Sequence, residues 1–126
     1  MDNLFFTNEH IMIRNMVREF ADSEITPVAQ ELDELGKFPR DLVDKMGELG
    51  LMGILIPEKY GGAGLDMVAF ATAIMELGRA DASVAITMTA HSSLGSLPIL
   101  MFGSEEQKNT YLPKLASGEM LGAFGL

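Results

Sequence analysis

The chain has 126 residues, 48% of them hydrophobic, and a formal net charge of −9 at pH 7. This length is typical of one compact domain, and the acidic balance, with no cluster of Lys or Arg among aromatic residues, argues against nucleic-acid binding. The absence of cysteine excludes disulfides, thiolate nucleophiles and thiolate metal ligands.

The first ten residues, MDNLFFTNEH, do not combine a basic segment with a long apolar run. Nowhere in the chain do about 18 consecutive apolar residues occur, as a membrane-spanning helix would require. We therefore expect a soluble, cytoplasmic protein with no targeting segment and no membrane span.

The first predicted element is a helix capped by Thr7, with Glu9 in its first turn. Pro27 predicts a kink, followed by a short helical continuation that Gly36 ends. Apolar residues of the helix follow the spacing of one buried stripe: Ile13, Met16, Val17, Phe20 and Ala21.

A second helix is predicted from Pro39, which suits a first helical turn, to Gly50, which fits a left-handed cap. The next segment, residues 51–56, is apolar but short, and it leads into a loop at residues 60–64. Three apolar residues share one face of the second helix: Leu42, Met46 and Leu49.

The glycines of this loop, Gly61, Gly62 and Gly64, precede a helix and could indicate a phosphate-binding loop. No Lys or Ser/Thr follows them at the spacing of such a loop, and Asp66 in the first turn would repel phosphate. We interpret the glycines as a structural turn, because glycine readily adopts positive φ angles.

Two further helices are predicted after this loop. Asp66 can cap the third, which ends near Gly78. Its inward-facing residues are Phe70, Ile74 and Leu77. Asp81 can cap the fourth, which runs through Ala85, Ile86, Met88 and Leu94. Both helices are apolar on more than one face, so we place the fourth in the middle of the bundle. Gly95 and Pro98 are expected to disturb its far end.

Ser104 and Gln107 form the capping box of a last helix, which Gly118 ends and whose apolar residues are Tyr111, Leu112 and Leu115. The tail, residues 120–126, has no helical periodicity and resembles an interrupted strand. The sequence thus predicts an all-α fold, an orthogonal or up-and-down bundle of about five to six helices with a short extended C-terminal tail.

No group of side chains forms a self-contained catalytic or metal site. His10 and His91 have no second His or carboxylate at the i+3 or i+4 position that a helical metal site needs. His91 is better interpreted as a hydrogen-bonded interior histidine than as a base. Ser92 and Ser93 lack both a nucleophile elbow and an acid partner.

Eight short segments carry further information because of their order and spacing. They are VREFA (17–21), EITP (24–27), FPRD (38–41), ELGLMG (48–53), PEKYGGAG (57–64), GSEEQK (103–108), YLPKL (111–115) and LGAFGL (121–126). Together they resemble the amino-terminal helical domain of the acyl-CoA dehydrogenase family. The closing segment is most similar to the short-chain, butyryl-type members.

The resemblance implies a three-domain parent, in which a middle β-domain and a carboxy-terminal helical domain follow the amino-terminal domain. Residues 1–126 would correspond to the first domain only, with the other two absent. The family's general base, a glutamate of the carboxy-terminal domain, would also be absent. We therefore expect no catalytic residue here and no activity of the isolated chain.

In such a parent, FAD and a fatty acyl-CoA lie between the domains. The resemblance implies α,β-dehydrogenation of the acyl-CoA to a trans-2-enoyl-CoA, with electrons passing to electron-transfer flavoprotein, which docks on an apolar surface of the amino-terminal domain. Binding of FAD by this chain alone is not expected. The full-length parent is expected to be a homo-oligomer, an assembly that we do not carry over to this chain.

Three residues match the start of the family's flavin-contacting stretch: Phe124, Gly125 and Leu126. The alternative is an ordinary buried strand. Four residues of the predicted fourth helix match positions that line the family's acyl cavity: Ile86, Thr87, Ala90 and Leu94. The alternative for these is core packing, and a further hypothesis is that the bulk of Ile86 favours short acyl chains.

Two other functions remain open at this point. The chain could be an autonomous helical binding module that docks a flavoprotein without catalysis, or a helical scaffold. An enzyme domain of the family should leave apolar surface exposed around Phe124 and Leu126, which a complete domain would cover.

Overall fold

The computed structural model describes residues 5–126, and every regular element in this range is helical, as predicted. Six α-helices are numbered here in chain order: α1 Asn8–Phe20, α2 Ala29–Leu35, α3 Arg40–Glu48, α4 Met67–Ala80, α5 Ala82–Phe102 and α6 Glu105–Ser117. A π-helical turn, Ala21–Ile25, extends α1, and a second, His91–Ser96, lies within α5. A 3-10 turn spans Glu58–Tyr60.

The amino end of α1 is closed by a reciprocal capping box. The Thr7 hydroxyl accepts from the His10 backbone N–H, and His10 Nδ1 accepts from the Thr7 backbone N–H at 3.1 Å. The predicted cap at Thr7 is confirmed, although a histidine takes the place of the usual Glu or Gln. The chain turns around Pro27 into α2, and Gly36, with φ of 59°, ends that helix as predicted.

α3 follows Pro39 and is succeeded by Gly50, whose φ of 78° confirms the left-handed conformation. The helix buries Leu42, Val43 and Met46. Leu49, the third residue of the predicted apolar face, is the C-cap residue and is exposed, because the chain turns into the apolar loop 51–56 there.

The glycine-rich turn is explained by its backbone geometry. Gly61 and Gly64 have φ angles of 85° and 63°, which glycine adopts without strain. A Cβ atom at Gly62 would lie 1.9 Å from the Ile56 carbonyl oxygen, so only glycine fits. The interpretation as a structural turn is confirmed.

The main core lies where α1 and α4 pack together and α3, α5 and the loop 51–56 close over them. A smaller cluster joins the 3-10 turn to α6 through Ile56, Tyr60, Leu112, Leu115 and Ala116. Complete burial of one large apolar side chain stabilises a fold by about 1.5–3 kcal/mol. The largest fully buried members of the main core include Ile25, Met46, Leu51, Met52, Leu77 and Met88.

One buried carboxylate, Glu76 of α4, crosses the α1–α4 contact. Its two oxygens accept from Arg18 Nε at 3.0 Å and Nη2 at 2.7 Å. Arg79 Nε donates to the same carboxylate at 3.3 Å and its Nη2 donates to Asp22 at 2.6 Å. The hydrogen bonds from Arg18 lower the pKa of Glu76 against the opposing effect of burial.

The structure corrects the placement of α5. This helix begins at the predicted Asp81 cap but is not central: Val84, Ala85, Met88, His91, Ser92 and Ser96 face the core, whereas Ile86 and Leu94 face outward. Its 21 residues have the length and mean hydropathy, 1.3, of a bilayer-crossing helix, although helices packed on a protein core also meet that criterion. We had inferred a central position from the apolar composition on all faces of the helix. That inference was wrong, because one face of a helix can be apolar in order to contact something outside the domain.

α6 confirms the predicted capping box, with Ser104 and Gln107 bonded reciprocally and Gly118 left-handed at its end. Leu112 and Leu115 are buried, whereas Tyr111 is exposed. Residues 121–126 belong to no helix, turn or strand, and no neighbouring segment of the described residues pairs with them. The short tail is therefore present, without the regular pairing of a sheet.

Candidate apolar site on α5 and the tail

The outward face of α5 is an uncharged surface. None of the 21 residues of this helix is Asp, Glu, Lys or Arg. Ile86 is 67% exposed and Leu94 46% exposed, while Thr87 and Ala90 are partly exposed beside them. All four residues predicted to line an acyl cavity therefore lie on the side of α5 that faces away from the core. The alternative, core packing, does not apply to Ile86 and Leu94.

Hydroxyl groups on α5 add little polarity to this surface. Thr87 donates to the Ser83 carbonyl at 2.9 Å, Thr89 to the Ala85 carbonyl at 2.7 Å and Ser93 to the Thr89 carbonyl at 2.7 Å. Each hydroxyl hydrogen is thus taken up by the backbone of its own helix. At these three positions the helix can contact hydrocarbon or an aromatic ring without stranding a hydroxyl hydrogen.

The tail crosses α5 at a contact between two glycines. A Cβ atom added at Gly95 would lie 2.7 Å from the Gly122 Cα, and one added at Gly122 would lie 3.0 Å from the Gly95 Cα and 3.1 Å from the His91 carbonyl oxygen. Neither glycine has a positive φ, so close approach is the reason for glycine here. Leu94 directly precedes Gly95, so one of the predicted cavity residues lies next to this crossing.

His91 ties the crossing to the rest of the domain. Its side chain is completely buried; Nε2 lies 3.0 Å from both the Met52 and the Leu115 carbonyl oxygens, and Nδ1 accepts from the Gly122 N–H at 2.9 Å. These partners require a neutral ring with the proton on Nε2. Burial lowers the pKa of His91, an effect that the two carbonyl oxygens partly oppose. The prediction of a hydrogen-bonded interior histidine is confirmed.

The predicted flavin-contacting residues lie beyond this crossing and are exposed. Phe124 is 58% exposed, and Gly125 and Leu126 are also exposed. Residues 123–126 belong to no helix or sheet, so their backbone N–H groups are available for a ligand. The alternative of an ordinary buried strand does not hold for this chain.

The other polar arrangements are structural. His10 Nε2 lies 3.0 Å from both carboxylate oxygens of Asp66, which also caps α4 by accepting from the Ala69 N–H. That backbone hydrogen bond, followed by the one from His10, lowers the pKa of Asp66. Among residues 5–126, no group of three or more His, Cys, Asp or Glu is arranged to hold a metal ion.

Sequence reasoning missed three contacts between distant parts of the chain. Arg18 and Glu76 are 58 residues apart, and His10 and Asp66 are 56 apart, so no local pattern pairs them. The link from His91 to Gly122 was also missed, although a glycine in each of two segments, Gly95 and Gly122, was a signal of close backbone approach.

The described residues thus define an all-α domain that exposes one uncharged apolar face beside an unpaired length of backbone. The acyl-CoA dehydrogenase amino-terminal domain profile matches residues 7–119, and the chain belongs to this family.

Relatives of known sequence agree with that assignment. The chain is 52% identical over 120 residues to an acyl-CoA dehydrogenase of Bacillus subtilis, an alignment that covers 95% of this chain and 32% of the relative. It is 45% identical over 120 residues to a short-chain specific acyl-CoA dehydrogenase of Clostridium acetobutylicum, again covering 95% of this chain and 32% of the relative. The chain spans about a third of the length of the curated relatives it matches.

Solved structures show the same fold. Butyryl-CoA dehydrogenase of Megasphaera elsdenii superposes with a TM-score of 0.92 at 36% identity, covering 98% of this chain and 33% of that one. An acyl-CoA dehydrogenase of Bacillus anthracis, solved as a complex with FAD, has a TM-score of 0.87 at 45% identity, covering 94% of this chain and 21% of that one.

Proposed function

We propose that this chain forms one wall of the acyl-CoA and flavin site of an FAD-dependent acyl-CoA dehydrogenase. The observation that carries the proposal is the uncharged, exposed face of α5 beside the exposed tail. A domain that worked alone would cover such a face, since large apolar patches on soluble domains mark contacts. Membership of the acyl-CoA dehydrogenase family favours this interpretation over a binding module without catalysis.

The residues present fit a flavin and an acyl chain. Phe124 and Leu126 offer apolar contact to a flat ring system, and the unpaired backbone around Gly125 offers hydrogen-bond donors to its polar edge. Ile86, Thr87, Ala90 and Leu94 offer a hydrocarbon-compatible wall for the acyl chain. FAD, when bound, supplies the hydride acceptor for oxidation of the acyl thioester to a trans-2-enoyl thioester.

The proposed role of this chain in the reaction is to orient the flavin and the acyl chain and to exclude water from them. The outward face of α5 carries no acidic or basic side chain that could move a proton. We propose that the α-proton is removed by a group from outside this chain. We propose that the chain alone is inactive and that residues 1–126 act as the amino-terminal domain beside middle and carboxy-terminal domains.

Ile86 is proposed to limit the length of the acyl chain. It is the most exposed large aliphatic residue among the four cavity positions, so its bulk is available to a ligand. Ile86→Ala removes three carbon atoms and leaves more space for the acyl chain. In a complete enzyme that contains this domain, we therefore expect turnover to shift from butyryl-CoA towards octanoyl-CoA. Faster turnover of octanoyl-CoA than butyryl-CoA with Ile86 intact would contradict the hypothesis.

The partners follow from the same proposal. The electron acceptor is proposed to be an electron-transfer flavoprotein. A solved structure of the electron transferring flavoprotein of Acidaminococcus fermentans matches this chain at 42% identity with a TM-score of 0.90. The match covers 94% of this chain and 31% of that one. α4 presents a candidate docking stripe of exposed apolar residues, Met67, Ala71 and Met75. We further propose that the complete enzyme is a homo-oligomer and that it works in the cytoplasm.

Titration of the purified chain with FAD and then butyryl-CoA tests the proposal. Flavin absorbance and fluorescence report binding, and loss of the flavin absorbance on adding substrate reports reduction. We expect weak FAD binding and no reduction, because one wall leaves most of the ligand in water. A stoichiometric yellow complex that butyryl-CoA bleaches would overturn the proposal, since the chain would then hold a complete site.

A further inference from the structure

The tail is fixed to α5 at one point. Residues 121–126 lie outside any helix or sheet, and the hydrogen bond that a described side chain makes to this stretch is the one between His91 Nδ1 and the Gly122 N–H. Beyond it, Gly125 has no atom within 4 Å of the position of a Cβ, so the tail is open to solvent there. The direction in which residues 123–126 leave the domain is therefore set at Gly122.

His91 is built into the domain as a rigid support for this contact. The π-helical turn His91–Ser96 carries it, and Ser96 donates to the His91 carbonyl oxygen at 3.2 Å, which stabilises the turn. Nε2 is held by carbonyl oxygens of two different elements, Met52 in the loop 51–56 and Leu115 in α6. The ring can neither rotate nor shift without breaking contacts to both, so Nδ1 presents a fixed acceptor.

We propose that His91 is a positioning residue of the flavin site: Nδ1 of its neutral ring holds the Gly122 amide and so fixes the course of Phe124, Gly125 and Leu126. This inference rests on the proposed function for the role of the tail. It adds a residue that does not touch the flavin or the acyl chain but determines where the flavin-contacting backbone lies.

The ring can hold both the core and the tail because its two nitrogen atoms make different hydrogen bonds. Nε2–H donates to the core carbonyl groups, while the unprotonated Nδ1 accepts from the tail. Protonation would turn Nδ1 into a donor facing the Gly122 N–H donor, and the tail would be released. The hydrogen-bond partners of the ring in the loop 51–56, α6 and the tail are all backbone groups, and no charged side chain of the described residues shifts its pKa.

Two substitutions separate the donor role of Nε2 from the acceptor role of Nδ1. The amide of Asn occupies the position of Nδ1, so His91→Asn keeps an acceptor for Gly122 and loses the donor to Met52 and Leu115. The amide of Gln occupies the position of Nε2, so His91→Gln keeps that donor and loses the acceptor. A general packing role predicts that both variants fail equally, whereas the positioning role predicts that they differ.

Hydrogen exchange of the Gly122 amide, measured by NMR on the full chain with Gly125 as internal reference, tests this difference. We expect about tenfold slower exchange at Gly122 than at Gly125 in the unmodified chain, as one hydrogen bond allows. His91→Asn should retain this protection and His91→Gln should lose it, with helical content unchanged. Protection should also fall as the pH is lowered in the unmodified chain, and this pH dependence should be absent in His91→Gln. Equal protection in both variants would overturn the proposal.

A second pair of variants tests the crossing without changing the histidine. Gly95→Ala places a methyl group 2.7 Å from the Gly122 Cα and should displace the tail, abolishing protection of the Gly122 amide. Gly125→Ala meets no atom within 4 Å and serves as the matched control. Protection that survives Gly95→Ala would contradict the close contact on which the proposal depends.

These readouts do not need flavin, so the inference and the proposed function can fail separately. If His91 holds the tail but a complete enzyme containing this domain does not place FAD against Phe124, Gly125 and Leu126, the proposed function is wrong. If FAD binds there and His91→Gln changes neither Gly122 exchange nor FAD affinity, the assignment of His91 is wrong.

Discussion

The two sides of α5 have nearly the same amino-acid chemistry but opposite surroundings. Its inner side packs Val84, Ala85 and Met88 against α4 and the main core. Its outer side carries Ile86 and Leu94, which are equally apolar and yet lie in solvent. A helix that is apolar all round is therefore not necessarily central in its own domain: the second apolar side can be kept for a contact with something else.

The largest expected difference between the two sides is in stability. Met88→Ala removes a completely buried side chain and should lower the free energy of unfolding by about 2–4 kcal/mol. Ile86→Ala, the matched change on the outer side, should alter it by less than about 0.5 kcal/mol. Urea unfolding followed by circular dichroism measures both. Similar losses for the two variants would show that the outer side is packed in solution.

The stability of the contact between α1 and α4 also depends on the negative charge of Glu76. Glu76→Gln should lower the free energy of unfolding by about 1–3 kcal/mol, because Arg18 and Arg79 lose the carboxylate that they share. The pKa of Glu76 is lowered, so its stabilising contribution is present above the ordinary glutamate value of 4.5 and is lost as the pH falls below it. Thermal unfolding between pH 7 and pH 3 should show this loss, which Glu31→Gln, an exposed control, should leave unchanged.

His91 lies on the inner side of α5 and should produce a smaller pH effect nearer neutrality. Its pKa is lowered by burial, so the unfolded chain binds a proton more readily than the folded one. Stability should be independent of this residue well above its ordinary pKa of 6.5 and should decline as the pH falls below it. The decline should be absent in His91→Gln; a decline of the same size in that variant would assign the effect to another group.

The smallest stability effect is expected when the outer side is made polar. Ile86→Ser together with Leu94→Ser should leave the unfolding midpoint nearly unchanged, because both side chains are already exposed. The same pair should reduce the fluorescence of a bound hydrophobic dye by on the order of half, since it removes the main aliphatic groups of the outer side. The double variant Met12→Ser with Met75→Ser, which changes exposed methionines of α1 and α4, is a control for a general loss of apolar surface.

Local sequence patterns were sufficient to predict most of the helix boundaries. Thr7, Asp66, Asp81 and Ser104 all cap helices as predicted, because capping depends on residues within three positions of one another. Gly36 and Gly118 end their helices as predicted, and Gly50 has the expected left-handed conformation, for the same reason.

Patterns that depend on tertiary contacts were not predicted. Periodicity identified α5 as apolar but could not distinguish its inner from its outer side, since that depends on which neighbours the domain supplies. The extended tail resembled a strand, yet a strand needs a partner, and residues 121–126 have none in the described residues. The positions of the candidate site came from resemblance to a family, whereas the link from His91 to Gly122 came only from the three-dimensional structure.

A chimaeric enzyme tests most directly whether the outer side of α5 and the tail form a wall of a flavin and acyl-CoA site. The 120 residues of the Bacillus subtilis acyl-CoA dehydrogenase that align with this chain would be replaced by the corresponding residues of this chain, to which they are 52% identical. We predict that the chimaera retains FAD and that butyryl-CoA bleaches it. Ile86→Asp with Leu94→Asp should abolish bleaching while the exposed control Met75→Asp does not. A folded chimaera in which the Ile86 and Leu94 substitutions leave FAD retention and bleaching unchanged would contradict the proposed function.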